Sequence, residues 1–157
     1  MRDSRRTRGF SAIEMVTALV VVGIVASMGI GAYGEYARKT TARRAAEVFA
    51  ADLALARSTA IRGRQTVSLT FDETGLAYSV VAAGGAVVLT RAFGVGSDLR
   101  VDALDLEMAG DSLTFNSRGF ADLSGASGSV GRAAFRRGEE TYAASFNALG
   151  ASRVTVQ

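Results

Sequence analysis

The sequence predicts an α+β chain: a long N-terminal α-helix, membrane half plus amphipathic half, packed on an antiparallel β-sandwich-like head. Three observations predict it. An uncharged run of 20 residues, Met15–Gly34, follows a short arginine-rich start. From Glu35 to Ile61 apolar residues recur at spacings of three and four. Beyond Arg64 the spacing falls to two, and glycines punctuate nearly every gap.

Charge is unevenly placed along the chain. Residues 1–9 hold Arg2, Arg5, Arg6 and Arg8 against Asp3, and so carry the whole formal net charge of +3. The remainder balances 14 basic with 14 acidic residues. Overall basicity is therefore a property of the first nine residues, and argues little for nucleic-acid binding. The chain has no Cys, no His and no Pro. That excludes disulfides, Cys-borne lipids and thiolate chemistry. It also removes the commonest general base and neutral metal ligand. No cofactor and no enzymatic activity are expected. No proline kinks the first helix.

As a helix, Met15–Gly34 would span roughly 30 Å, the thickness of a hydrocarbon core. A cleaved secretory signal is the plain alternative, but the run exceeds the usual apolar stretch of such signals. Glu14 also places a carboxylate where a signal would be apolar. An acid at the edge of a membrane-length segment costs free energy unless partnered, and marks function by default. Orientation is not set by charge, because Arg38, Lys39, Arg43 and Arg44 follow the span as closely as the four leader arginines precede it.

The segment Gly9-Phe10-Ser11-Ala12-Ile13-Glu14 resembles the processing site of type IV prepilins and type II secretion pseudopilins. The resemblance implies cleavage by a prepilin peptidase between Gly9 and Phe10, N-methylation of Phe10, and an assembly role for Glu14. Physical chemistry points the same way. Cleavage would give Phe10 a free amine, about 6 Å from Glu14 along a helix axis. In a low-dielectric medium each charge would offset the desolvation cost of the other. An amine from an adjacent subunit could serve instead, and would set axial register in a filament.

Beyond the membrane half, Ala42, Ala45, Phe49, Leu53, Ala56 and Ala60 form one stripe, which reads as a face buried against a sheet. Continuous helix from Phe10 to Ile61 would be roughly 78 Å long. Gly63 is expected to end it. Val67, Leu69 and Phe71 then alternate with Thr and Ser, and Asp72-Glu73-Thr74-Gly75 turns the chain into Leu76–Val80. Further strands are expected at Ala86–Phe93, Leu99–Ala103, Ser112–Asn116, Ser129–Phe135, Thr141–Asn147 and Ser152–Val156. A change of phase at Leu104 and Leu106 suggests a bulge.

Two further matches narrow the resemblance. Ala56-Arg57-Ser58-Thr59-Ala60-Ile61 followed by Val67-Ser68-Leu69 is similar to the helix end and first strand of GspH/FimT-type minor pseudopilins. Phe115-Asn116-Ser117-Arg118-Gly119 and Phe146-Asn147-Ala148-Leu149-Gly150 resemble that family's two glycine turns. The family implies a subunit that initiates a type II secretion pseudopilus or type IV pilus. Its layout here would be a leader over 1–9, a transmembrane half over 10–34, an amphipathic half over 35–62 and a β-rich head over 63–157. The implied location is the bacterial inner membrane, with one pass and the head in the periplasm. The implied partners are other pilin-like subunits, the prepilin peptidase and inner-membrane lipid.

Other chemistry is weaker. Gly125–Gly131 is glycine-rich but lacks the Gly-Lys-Ser/Thr ending of a phosphate loop. Asp98, Asp102, Asp105 and Glu107 lack the ordered spacing of a calcium loop. Arg132, Arg136 and Arg137 cluster beside Phe135. Since FimT-type members are associated with DNA capture, these three are the candidate nucleic-acid contacts, although Glu139 and Glu140 follow at once.

Overall fold

The computed structural model describes residues 10–108, 112–123 and 130–156, without the side chains of residues 28–32 and 35. The leader with Gly9, and residues 124–129 of the glycine-rich segment, lie outside the described residues. Two compact units divide the chain, residues 1–37 and residues 38–157. One helix, α1 (Ala12–Gly63), contributes to both.

In the first unit, Ser11 caps α1. Met15 N donates to Ser11 O at 3.2 Å, closing the first helical turn. Ser11 N donates to Glu14 Oε2 at 3.3 Å. Ser-x-x-Glu is the capping-box pattern, and this bond is the half in which the third helical residue reaches back to the cap. The helix therefore starts two residues later than expected, because Glu14 terminates it on the N-terminal side. Apolar side chains beyond the cap are solvent-facing, Leu19 at 69% and Val25 at 64%. Among the described residues no helix is long and apolar enough to cross a membrane. The uncharged run itself continues through residues 28–32, whose side chains are not described.

In the second unit, α1 ends at Gly63, as expected, and the left-handed residue that follows it is Arg64 (φ 49°). Gln65 N donates to Ala60 O at 3.2 Å and Arg64 N to Ile61 O at 3.3 Å, the paired bonds of a Schellman motif. The chain then enters nine strands among the described residues: β1 (Val67–Asp72), β2 (Ala77–Ala82), β3 (Val87–Ala92), β4 (Ala103–Leu106), β5 (Ser112–Phe115), β6 (Ala121–Asp122), β7 (Val130–Arg137), β8 (Glu140–Asn147) and β9 (Ser152–Val156). They form two antiparallel sheets, ordered β3-β2-β1-β5-β6 and β4-β7-β8-β9.

The α1 stripe is the centre of the core. Ala42, Ala45, Phe49, Leu53, Ala56 and Ala60 are fully buried. Phe49 sits 5.5–6.0 Å from the rings of Phe71 and Tyr78 in one sheet and of Phe135 and Phe146 in the other. One helical side chain thus joins both sheets, which is the helix-on-sheets packing the stripe predicted. Small residues above and below it let the sheets approach the helix closely.

Three expectations change. Leu99–Ala103 is not a strand: β4 starts at Ala103, and Val101 is buried on a loop that bonds back to Phe93 O at 2.9 Å. The phase change at Leu104 therefore marks the start of a strand rather than a bulge; the register shift that does occur lies between Val80 and Val81. β7 and β8 run further than their apolar residues, to Arg137 and from Glu140, closing a two-residue hairpin in which Gly138 has φ 63°.

Candidate functional site

Glu14 is the first candidate. It occupies the third helical position behind Ser11, on a helix surface whose neighbours Ile13 and Met15 are 71% and 58% exposed. Phe10 is 80% exposed and precedes the helix. It is therefore not one helical turn below Glu14, as a helix beginning at Phe10 would place it. The carboxylate instead accepts the backbone N–H of Ser11, which directly follows Phe10. A carboxylate has about four acceptor positions. One long bond leaves most of this one free among the described residues.

The second carboxylate on α1 behaves differently. Asp52 is 5% exposed, the one buried charged residue among those described. Its Oδ2 accepts from Tyr78 Oη at 2.7 Å and from Arg91 Nε at 2.9 Å, and its Oδ1 accepts from Arg91 Nη2 at 3.0 Å. The forked guanidinium matches the two oxygens, which makes this a charge-assisted bidentate pair. Burial pushes the Tyr78 hydroxyl pKa well up, and its bond to Asp52 pushes it further. The bond to Asp52 also raises the Arg91 pKa. The network ties the middle of α1 to β2 and to the edge strand β3. Sequence reasoning missed it. The available signal was an acid inside the stripe, three residues after Phe49 and four before Ala56.

The third assembly is a junction at Arg57. Two turns of the same design meet there. In the first, Asn116 Oδ1 accepts from Arg118 N at 2.9 Å and Phe120 N at 3.1 Å. In the second, Asn147 Oδ1 accepts from Leu149 N and Ala151 N, both at 3.0 Å. Each has a glycine at positive φ, Gly119 at 79° and Gly150 at 71°. Arg57 Nε donates to Gly119 O at 3.1 Å. A Cβ at Gly150 would lie 2.9 Å from Arg57 Cδ, and one at Gly119 would lie 2.6 Å from Ile61 Cδ1. Ala121 N donates to Ala148 O at 2.7 Å, joining the two turns directly. Both glycines are thus required twice, for backbone conformation and for close approach. The helix end and the two glycine turns, far apart in sequence, are one structure.

The candidate nucleic-acid arginines do not form one surface. Strand alternation puts Arg132 and Arg136 on one face of β7 and Arg137 on the other. Arg132 is 3.6 Å from Glu107, and Arg137 Nη1 donates to Arg100 O at 3.0 Å. Arg136 is exposed. Nearby, Asp102 Oδ2 accepts from Gly138 N at 2.7 Å, which fixes the β7–β8 hairpin.

A single long helix packed on two antiparallel sheets is the pilin-like fold. The crystal structure of the type IV minor pilin FimU from Pseudomonas aeruginosa is similar, with a TM-score of 0.56 and 20% identity over 78% of this chain and 92% of that one. The minor pseudopilin EpsH from the type 2 secretion system of Vibrio cholerae is similar too, with a TM-score of 0.56 and 16% identity over 73% and 96%. No curated protein matches the chain. The family described as type II transport protein GspH matches residues 45–150. The chain belongs to that family. The matched span begins inside the buried stripe of α1 and ends at the Gly150 turn, so it includes the Asp52 network and the Arg57 junction.

Proposed function

We propose that the protein is a minor pseudopilin or pilin that helps initiate a type II secretion pseudopilus or type IV pilus. It is made as a precursor, cut between Gly9 and Phe10, and N-methylated at Phe10. Residues 10–34 hold it in the bacterial inner membrane, and the head faces the periplasm. Its role is mechanical: it joins other pilin-like subunits through helix packing. The prepilin peptidase performs the covalent chemistry, and Gly9 suits its active site because no side chain obstructs the cut bond.

One observation supports this reading above the rest. The Glu14 carboxylate stands on an exposed apolar helix surface with one long bond to Ser11 N. In hydrocarbon, a carboxylate so placed needs a cation. The new amine of Phe10 on a neighbouring subunit supplies one, and fixes how far one helix slides along the next. Glu14→Leu tests this. Incorporation into sheared filaments should fall below detection, while mass spectrometry shows the chain still starting at methylated Phe10. Normal incorporation of the variant would reject the assembly role of Glu14. A native chain starting at Met1 would reject processing.

A further inference from the structure

We infer that the end of the head built by the C-terminus of α1 and the turns 116–120 and 147–151 docks an acidic, partly apolar segment of a partner protein. One large apolar side chain from each of three segments meeting at Arg57 is left about half exposed: Ile61 at 43%, Phe120 at 46% and Leu149 at 52%. Ile61 itself lies against Gly119, while Phe120 and Leu149 flank Gly119 and Gly150, the two glycines packed on Arg57. Elsewhere these segments are tightly packed, with Ala60, Phe115 and Phe146 buried.

The rim of this apolar trio is basic. Residues 57–65, 116–122 and 147–151 contain Arg57, Arg62, Arg64 and Arg118 and one acid, Asp122. Arg57 is occupied by Gly119 O, and among the described residues Arg62 bonds within its own helical turn, to Ser58. Arg62, Arg64 and Arg118 are exposed and form no ion pair among the described residues. Six of the head's acids lie at the opposite ends of the strands: Asp72 ends β1, Glu140 starts β8, and Glu73, Asp98, Asp102 and Glu139 are in the connections there. Glu107, nearer this end, is 3.6 Å from Arg132.

Charge and apolarity together select the partner. Guanidinium groups with no acidic partner among the described residues, as in Arg62, Arg64 and Arg118, fit carboxylates as two-pronged donors. Half-exposed Ile, Leu and Phe side chains accept apolar side chains between those carboxylates. Nucleic acid would satisfy the arginines, but stacking bases gain little from branched Ile61 and Leu149. The turns are held in shape by double acceptance at Asn116 and Asn147, so little ordering is needed on binding. The surface lies wholly within the second unit, residues 38–157, and stands whether or not Glu14 acts in assembly.

Fluorescence anisotropy on the full chain in detergent micelles tests the inference, with empty micelles as the blank. The probes are a labelled peptide of alternating Asp and Leu, one of alternating Asp and Ser, and an oligothymidine of matched charge. The Asp–Leu peptide should bind about tenfold or more tighter than either other probe. Leu149→Ser and Arg118→Glu should each weaken it about fivefold or more, as loss of a central contact does. Val95→Ser, an 88% exposed residue at the opposite end of the strands, should change nothing. Equal binding of the two peptides, tighter binding of the oligothymidine, no binding at all, or equal loss in Val95→Ser would each overturn the assignment.

Discussion

Two acids of α1, Glu14 in its first half and Asp52 in its second, stand among apolar residues and are treated in opposite ways. In the second half, Asp52 is sealed in the core and accepts three bonds from Tyr78 and Arg91. In the first half, Glu14 stands on an exposed apolar surface with a single 3.3 Å bond to its own cap. Asp52 has found its partners within the chain, so its contribution is to the fold. Glu14 has spare acceptor capacity and an exposed apolar surface around it, and among the described residues it accepts only from Ser11 N. The same residue chemistry on one helix is thus satisfied at Asp52 and left largely open at Glu14 among the described residues, and it is the open site to which the proposed assembly role is assigned.

Substitutions on the two halves should separate in the same way. The largest effect on stability should come from Phe49→Ala, which removes the helical side chain in contact with two rings of each sheet. A loss of about 3–5 kcal/mol is expected for a buried aromatic of this kind. Thermal unfolding of the full chain in micelles would read it as a large drop in Tm. Glu14→Leu should leave that Tm unchanged. A destabilised head in Glu14→Leu would erase the distinction between the halves.

Asp52→Ala should follow, at about 2–3 kcal/mol, because it strands a buried Tyr78 hydroxyl and the Arg91 fork. Arg91 has a side chain 40% exposed and can turn to water, so the loss falls short of that for a fully buried pair. Gly150→Ala comes next, at about 1–3 kcal/mol, since the new methyl meets Arg57 in a left-handed backbone. The same change at Gly84, also at positive φ but with nothing near its Cβ position, should cost less. Comparing the two isolates the packing at Arg57 from backbone strain.

How much of this was legible in the sequence depends on the range of the physics involved. The stripe from Ala42 to Ala60 was readable because burial on a helix leaves a period, and every stripe residue proved fully buried. The glycine turns were readable because left-handed φ favours glycine. α1 ends at Gly63 as expected, but the left-handed position after it is taken by Arg64, which no glycine pattern announces. The strand at Leu99 was misjudged because Val101 is buried from a loop, where alternation carries no meaning. β6 has two residues, too few for any period. Asp52, and the meeting of the two turns at Arg57, depend on contacts across 26 to 93 residues of chain, and no local pattern announces a partner that distant. The Ser11-Ala12-Ile13-Glu14 cap was local and could have been read from its Ser-x-x-Glu spacing.

The smallest expected effect sharpens the comparison by pH. In the fold, burial and then the Asp52 bond raise the Tyr78 pKa above its unfolded value of 10.0. A group that holds its proton more tightly when folded contributes full stability below its unfolded pKa. That contribution is lost as pH climbs above about 10, where the unfolded chain ionises and the folded one does not. Tyr78→Phe should cost about 1 kcal/mol at neutral pH, the net worth of one hydrogen bond. It should also flatten the fall in Tm above pH 10, so that wild type and variant converge there. Parallel curves across that range would mean that Tyr78 ionises freely in the fold, and that Asp52 is not the closed, internally satisfied acid that distinguishes it from Glu14.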